Sequence, residues 1–170
     1  MKNVQLSVVG VFIALIIAVF PLSAEAQKAS GVGVGIRSGL GLDPDQGVVG
    51  IQAVLGKKLK FMRLAPSFDF GFGDDVLTYT FNGDVRFLLL APPKSSTALY
   101  AAAGPTISVW DPDKGETDTE IGLTLVVGIR MPFGKSNFYN LESRYGIGDV
   151  PEVRILFGVL FSTGGGSEGN

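Results

Sequence analysis

From residue 62 to residue 72 the side chains Met62, Leu64, Pro66, Phe68, Phe70 and Phe72 fall on one parity, and Arg63, Ala65, Ser67, Asp69 and Gly71 fall on the other. A strand sends alternate side chains to opposite faces, so such a stretch builds a strand with one broad apolar face and one small or charged face. The same period recurs in segments 31–42, 47–56, 60–72, 76–91, 99–110, 120–131, 138–145 and 153–161. Ile36 and Leu40 oppose Arg37; Val49 and Ile51 oppose Gly50 and Gln52; Tyr79, Phe81, Phe87 and Leu89 oppose Thr80, Asn82, Asp84 and Arg86. Leu99 and Ile107 oppose Tyr100 and Thr106, Leu125 and Ile129 oppose Thr124 and Arg130, Leu141 and Tyr145 oppose Glu142 and Arg144, and Ile155 and Phe157 oppose Arg154 and Gly158. Each segment is near the roughly 9–11 residues that a tilted strand needs to cross a bilayer.

Which face is outside follows from composition and from the connections. The 170 residues allow one domain, and 46% hydrophobic against 18% charged residues is an apolar balance for a water-soluble chain of this size. The polar parity is small: Gly50, Gly71, Gly104, Gly122, Gly128 and Gly158 lie on it, with few Lys or Glu to meet water. Small residues suit a narrow barrel interior, and the opposite parity of Leu, Val, Ile and Phe suits lipid. Alternate connections differ in charge. One set carries Asp43, Asp45, Asp74, Asp75, Asp111, Asp113, Glu116, Asp118, Asp149 and Glu152 with Lys114 as its only base, and the other carries Lys57, Lys58, Lys94 and Lys135. An up-and-down barrel has two distinct ends and sorts its loops in this way. Phe70, Phe72, Tyr79 and Tyr145 near the acidic end, and Phe61, Phe87, Tyr139 and Phe161 near the basic end, are candidates for interfacial girdles. The competing architecture is a soluble lipocalin-like barrel whose apolar parity lines a ligand cavity.

Residues 1–26 carry the pattern of a cleaved signal peptide: Lys2, an apolar run from Val8 to Phe20, and Ala24-Glu25-Ala26 before Gln27. Residues 27–161 are then the barrel and residues 162–170 a Gly-rich disordered tail. The formal charge of -2 without a basic stripe excludes nucleic acid as a partner. The chain has no Cys and no His, which removes disulfides, thiolate chemistry and every Ser-His or Cys-His catalytic arrangement.

The signal-like start, the alternating segments, the run Tyr100-Ala101-Ala102-Ala103-Gly104-Pro105, the segment Glu142-Ser143-Arg144-Tyr145 and the aromatic-terminated last strand resemble the small bacterial outer-membrane β-barrels of the OmpA and OmpX type. The resemblance implies an all-β, eight-stranded antiparallel up-and-down transmembrane barrel in the outer membrane, monomeric, with lipid as its surroundings. Some membrane barrels are enzymes, but their arrangements require a His near a Ser or an Asp, which this chain lacks, so a non-enzymatic structural or cell-surface role is expected, with any surface partner met through the acidic loops and neither a cofactor nor a catalytic residue.

An eight-stranded barrel has an interior just wide enough for side chains to fill. On the inward parity lie Arg37, Arg63, Arg86, Arg130, Arg144 and Arg154, with Asp69, Asp84, Glu120 and Glu142 as acids. Guanidinium groups take carboxylates bidentately, so these residues are expected to form an ion-pair network that plugs the lumen, with Arg86 and Glu142 at its centre. The segments Asp43-Pro44-Asp45-Gln46-Gly47 and Asp111-Pro112-Asp113-Lys114-Gly115 share Asp-x-Asp-x-Gly. That spacing suits calcium as well as a plain turn.

Overall fold

The computed structural model describes residues 33–55, 62–73, 76–90, 97–113, 115–133 and 137–162. The expected signal peptide, most of the tail and the basic connections lie outside these residues. Eight strands run in order: β1 (Gly33–Asp43), β2 (Asp45–Val54), β3 (Met62–Phe72), β4 (Val76–Leu90), β5 (Ala98–Pro112), β6 (Asp118–Phe133), β7 (Asn137–Ile147) and β8 (Val153–Ser162). Each pairs antiparallel with its sequence neighbours, and β1 pairs with β8 through Ile36↔Val159 and Arg37↔Gly158 to close a barrel. Closure leaves no sheet edge, so the ladders satisfy the strand backbone without help from water.

The outer face is apolar. Ile36, Leu40, Ile51, Leu64, Phe81, Ile107, Leu123, Leu141, Ile155, Phe157 and Phe161 are all exposed, while Arg37, Asp69, Asp84, Arg86, Glu142, Arg144 and Arg154 are buried. A lipocalin-like barrel has the opposite arrangement: its ligand cavity would have to be apolar, whereas this lumen is filled by arginine and carboxylate side chains bonded to one another, so the soluble alternative is not favoured. A surface of this kind has lipid as its natural solvent.

The interior is layered. Toward the end from which β1 starts, Val54, Ala65 and Leu160 pack together with Phe138 against them. The charged residues occupy the middle. Above them hydroxyls and amides join across strands: Thr78 donates to Gln46 at 2.9 Å, Thr106 to Asn82 at 3.0 Å, and Thr80 and Ser108 lie 3.1 Å apart. At the acidic mouth the β7–β8 connection folds inward. Val150 is buried, Gly146 donates its N–H to the Glu152 carbonyl at 2.7 Å, and Glu152 donates to the Asp43 carbonyl at 3.0 Å.

Three details depart from strict alternation. Leu89, expected on the lipid face, is buried, because a register shift between Leu88 and Leu90 inserts one residue in β4 and exchanges the faces beyond it. Tyr145, expected in a girdle, is buried where Leu125 and Val153 flank it in register. Of the other girdle aromatics, the Phe70 ring lies 6.1 Å from Phe72 and 5.3 Å from Tyr79, and the Tyr139 ring stacks on Phe133 at 4.2 Å; Phe61 lies outside the described residues. Finally, the inward parity is less uniformly polar than expected, since Val48, Val54, Val126, Leu156 and Leu160 all point in.

Candidate functional site: a buried ion-pair network

Alternation places one charged residue per inward step, and the stagger of the strands decides which of them meet. Glu142 on β7 is the hub. Its Oε1 accepts from Arg86 Nη2 at 2.9 Å and from the Tyr100 hydroxyl at 2.7 Å. Its Oε2 accepts from Arg37 Nη1 at 3.2 Å and Arg144 Nη1 at 3.1 Å. The Arg86 guanidinium also lies over the Tyr100 ring, 4.2 Å from its centre. Charge-assisted bonds of this kind are about twice as strong as neutral ones.

Two further carboxylates, Asp69 and Asp84, extend the network to Arg154 and hold Arg37 and Arg144 a second time. Asp69 takes Arg37 bidentately, with Nε to Oδ1 at 2.7 Å and Nη2 to Oδ2 at 2.6 Å, and its Oδ2 also accepts from Arg154 at 3.4 Å and Asn82 at 3.3 Å. Asp84 accepts from Arg144 Nη2 at 2.7 Å. Arg154 reaches the Thr80 hydroxyl at 2.7 Å, and Arg37 reaches Ser67 at 2.7 Å. The network therefore sets four guanidiniums, on Arg37, Arg86, Arg144 and Arg154, against three carboxylates, on Asp69, Asp84 and Glu142.

Glycines make these reaches possible. A Cβ on Gly50, which lies between Arg37 and Asp69 in register, would strike the Asp69 carboxylate and the Phe68 carbonyl. A Cβ on Gly128 would strike the Tyr100 ring. The small inward residues are thus the space into which long polar side chains from neighbouring strands lie.

The remaining inward charges lie at other depths of the barrel. Arg63 pairs in register with Arg86 toward the β1-start end and is half-buried. Arg130 is buried and lies over the Phe138 ring at 4.4 Å. Glu120 does not join the network. It sits near the start of β6, on the neighbour of Ser108, with Asp118 and Asp149 as its electrostatic neighbours at the acidic rim. Parity alone placed it with Glu142; depth along the strand separates them. Tyr100, absent from the expected network, belongs to it, and its place on the same parity as Gly104 and Thr106 was the available signal. Among the described residues no three acidic side chains converge as a metal site requires.

A closed eight-stranded barrel with lipid-compatible walls and a charge-filled lumen is the architecture of the small outer-membrane barrels. The N-terminal β-barrel domain of OprF from Pseudomonas aeruginosa superposes with a TM-score of 0.63 at 17% identity, over 79% of this chain and 98% of that domain. Neisserial surface protein A gives 0.59 at 16% identity, over 77% of this chain and 95% of the other. The outer membrane protein Ail of Yersinia pestis, solved in a phospholipid bilayer nanodisc, gives 0.51 at 12% identity, over 78% and 99%. These likenesses are of fold. No family model and no curated protein matches the sequence.

Proposed function

We propose that the protein is a non-enzymatic, monomeric outer-membrane barrel that presents its acidic loops at the cell surface and conducts no solutes of porin size. The single observation that carries the reading is the inversion of the barrel: apolar side chains outside, and Glu142 with its three arginines and Tyr100 filling the centre. Export by the N-terminal segment fits this destination. The absence of His and Cys, together with the engagement of Asp69, Asp84 and Glu142 by arginines, favours a structural use of those acids. The role is structural or adhesive, with a cationic partner surface suited to the rim of Asp43, Asp45, Asp111, Asp113, Asp118 and Asp149.

Cell fractionation joined to a detergent gel tests the reading. The protein should co-sediment with outer membrane and run faster unheated than boiled, and planar bilayers should show no stable large openings. Recovery in the soluble fraction without detergent, or steady conductance of porin size, would refute it.

A further inference from the structure

Into the polar upper lumen one aliphatic side chain is set from outside the strands. Val150 belongs to the β7–β8 connection and is 3% exposed. Its seat is made by two buried or half-buried glycines on neighbouring strands, Gly122 on β6 and Gly146 on β7. A Cβ on either glycine would lie 2.9 Å from the same Val150 methyl, and each would also strike backbone of the connection, the Ile147 carbonyl at Gly122 and the Pro151 carbonyl at Gly146. Even an alanine at either position would therefore push the connection out of its seat.

Beneath the seat is a small polar chamber. Pro151, buried beside Val150, borders a cavity of about 10 Å³ whose other walls include Thr80, Thr106, Thr124 and Arg154. That is space for a single water. Arg154 is buried, and its Nε has no hydrogen-bond partner among the described residues. Thr80 and Thr106 are each 1% exposed, so the chamber is covered while the connection is seated.

The connection is tied down lightly. Its backbone is bonded at its two ends, where Gly146 donates to the Glu152 carbonyl and Glu152 to the Asp43 carbonyl, and from Gly148 to Pro151 it makes no backbone hydrogen bond to the backbone of another described residue. Gly148 is exposed and has a φ of 98°, a left-handed conformation that turns the chain back into the barrel. A segment with one buried anchor and few hydrogen bonds opens locally at less cost than a strand ladder. We propose that the β7–β8 connection is a hinged stopper: it leaves its glycine seat as a unit, bending at Gly148, and opens the upper lumen to small solutes from the acidic mouth while the strand ladders and the Glu142 network stay in place. Glu142 lies one inward step deeper than Arg144 on β7, so opening exposes a chamber above the network and not a pore through it. The inference holds whichever side of the membrane the acidic mouth faces and stands apart from any surface role.

The chain has no cysteine, so a single introduced thiol is the one target for a small cationic methanethiosulfonate. In the full chain folded in lipid vesicles, Thr106→Cys should label slowly, and Val150→Ser in the same chain should speed labelling at least about tenfold, the change in opening equilibrium that loss of a buried valine side chain brings. Gly146→Ala, which fills the seat without altering Val150, should do the same. Ala65→Cys, packed with Val54 and Leu160 at the far end of the lumen, should label at one rate with and without either change. In the wild-type protein, hydrogen exchange should find the Gly146 and Glu152 amides opening at a common rate, at least about tenfold faster than the amides of the β7–β8 ladder. A Thr106→Cys rate unchanged by both stopper variants, an Ala65→Cys rate that rises in parallel, or Gly146 and Glu152 amides that exchange only with the ladder would overturn the proposal; the exchange arm uses the wild-type chain and decides the matter even where a variant does not fold.

Discussion

Replacing Glu142 by alanine should be among the most damaging single changes available inside this barrel, and the structure says how damaging. Of the three arginines on Glu142, Arg37 keeps its bidentate bond to Asp69 and Arg144 keeps Asp84, so neither is stranded. Arg86 loses the carboxylate that holds it, retaining Gln52 at 3.4 Å and the face of Tyr100. Breaking a buried pair so that one charge is left uncompensated costs about 3–5 kcal/mol, and the lost Tyr100 hydrogen bond about 1 kcal/mol. The variant should therefore lose at least about 3 kcal/mol, which is on the order of a hundredfold in the folding equilibrium. Arg86→Met removes the other partner but leaves Glu142 bonded to Arg37, Arg144 and Tyr100, and it brings the guanidiniums and carboxylates of the network to equal number. Its cost should be about 1.5–3 kcal/mol, the value of one charged hydrogen bond. The double variant should cost less than the sum of the two. Urea unfolding in lipid vesicles, followed by Trp110 fluorescence and gel mobility, measures all three. A Glu142→Ala cost below about 1 kcal/mol, typical of an exposed pair, or an Arg86→Met cost exceeding that of Glu142→Ala, would refute the hub assignment.

Two further outcomes are expected. Leu141 is exposed on the outer face one residue from the hub, so Leu141→Arg places a charge at mid-barrel depth in lipid and should lower vesicle folding stability by about 2–4 kcal/mol, with a much smaller effect in micelles that admit water. Gly128→Val drives a branched side chain into the Tyr100 ring, so it should destabilise the barrel in urea titrations, and Tyr100→Ala in the same chain should relieve most of that loss.

Parity was legible because a strand writes it into the sequence at every second residue, and residues such as Ile36, Arg37 and Ile51 stand where their parity puts them. Pairing was not. Arg37 binds Asp69 across the bare backbone of Gly50 on the intervening strand, and Glu142 across the barrel closure, and both depend on a stagger that no single segment encodes. Depth was likewise hidden. Glu120 and Glu142 share a face, but β6 is 16 residues long and places Glu120 at the rim. Runs without alternation concealed the rest: Val48-Val49 and Val159-Leu160-Phe161 are apolar on both faces, so the inward Val48 and Leu160 left no mark.

The two faces of this barrel obey different rules, and the difference explains why its fold is shared while its sequence is not. An outward residue has only to be apolar, because lipid tails do not distinguish Leu from Ile or Val, and one choice places little demand on the next. An inward residue must match others two or more strands away in charge, length and free volume, as Glu142 matches Arg37, Arg86, Arg144 and Tyr100, and as Gly128 must stay small for Tyr100 to reach it. Such a set can be replaced by another self-consistent set but not altered one member at a time without loss. A closed backbone can therefore be shared at 17% identity and below. What distinguishes this chain from its structural neighbours is then to be sought in the lumen, where residues answer to each other and not to lipid.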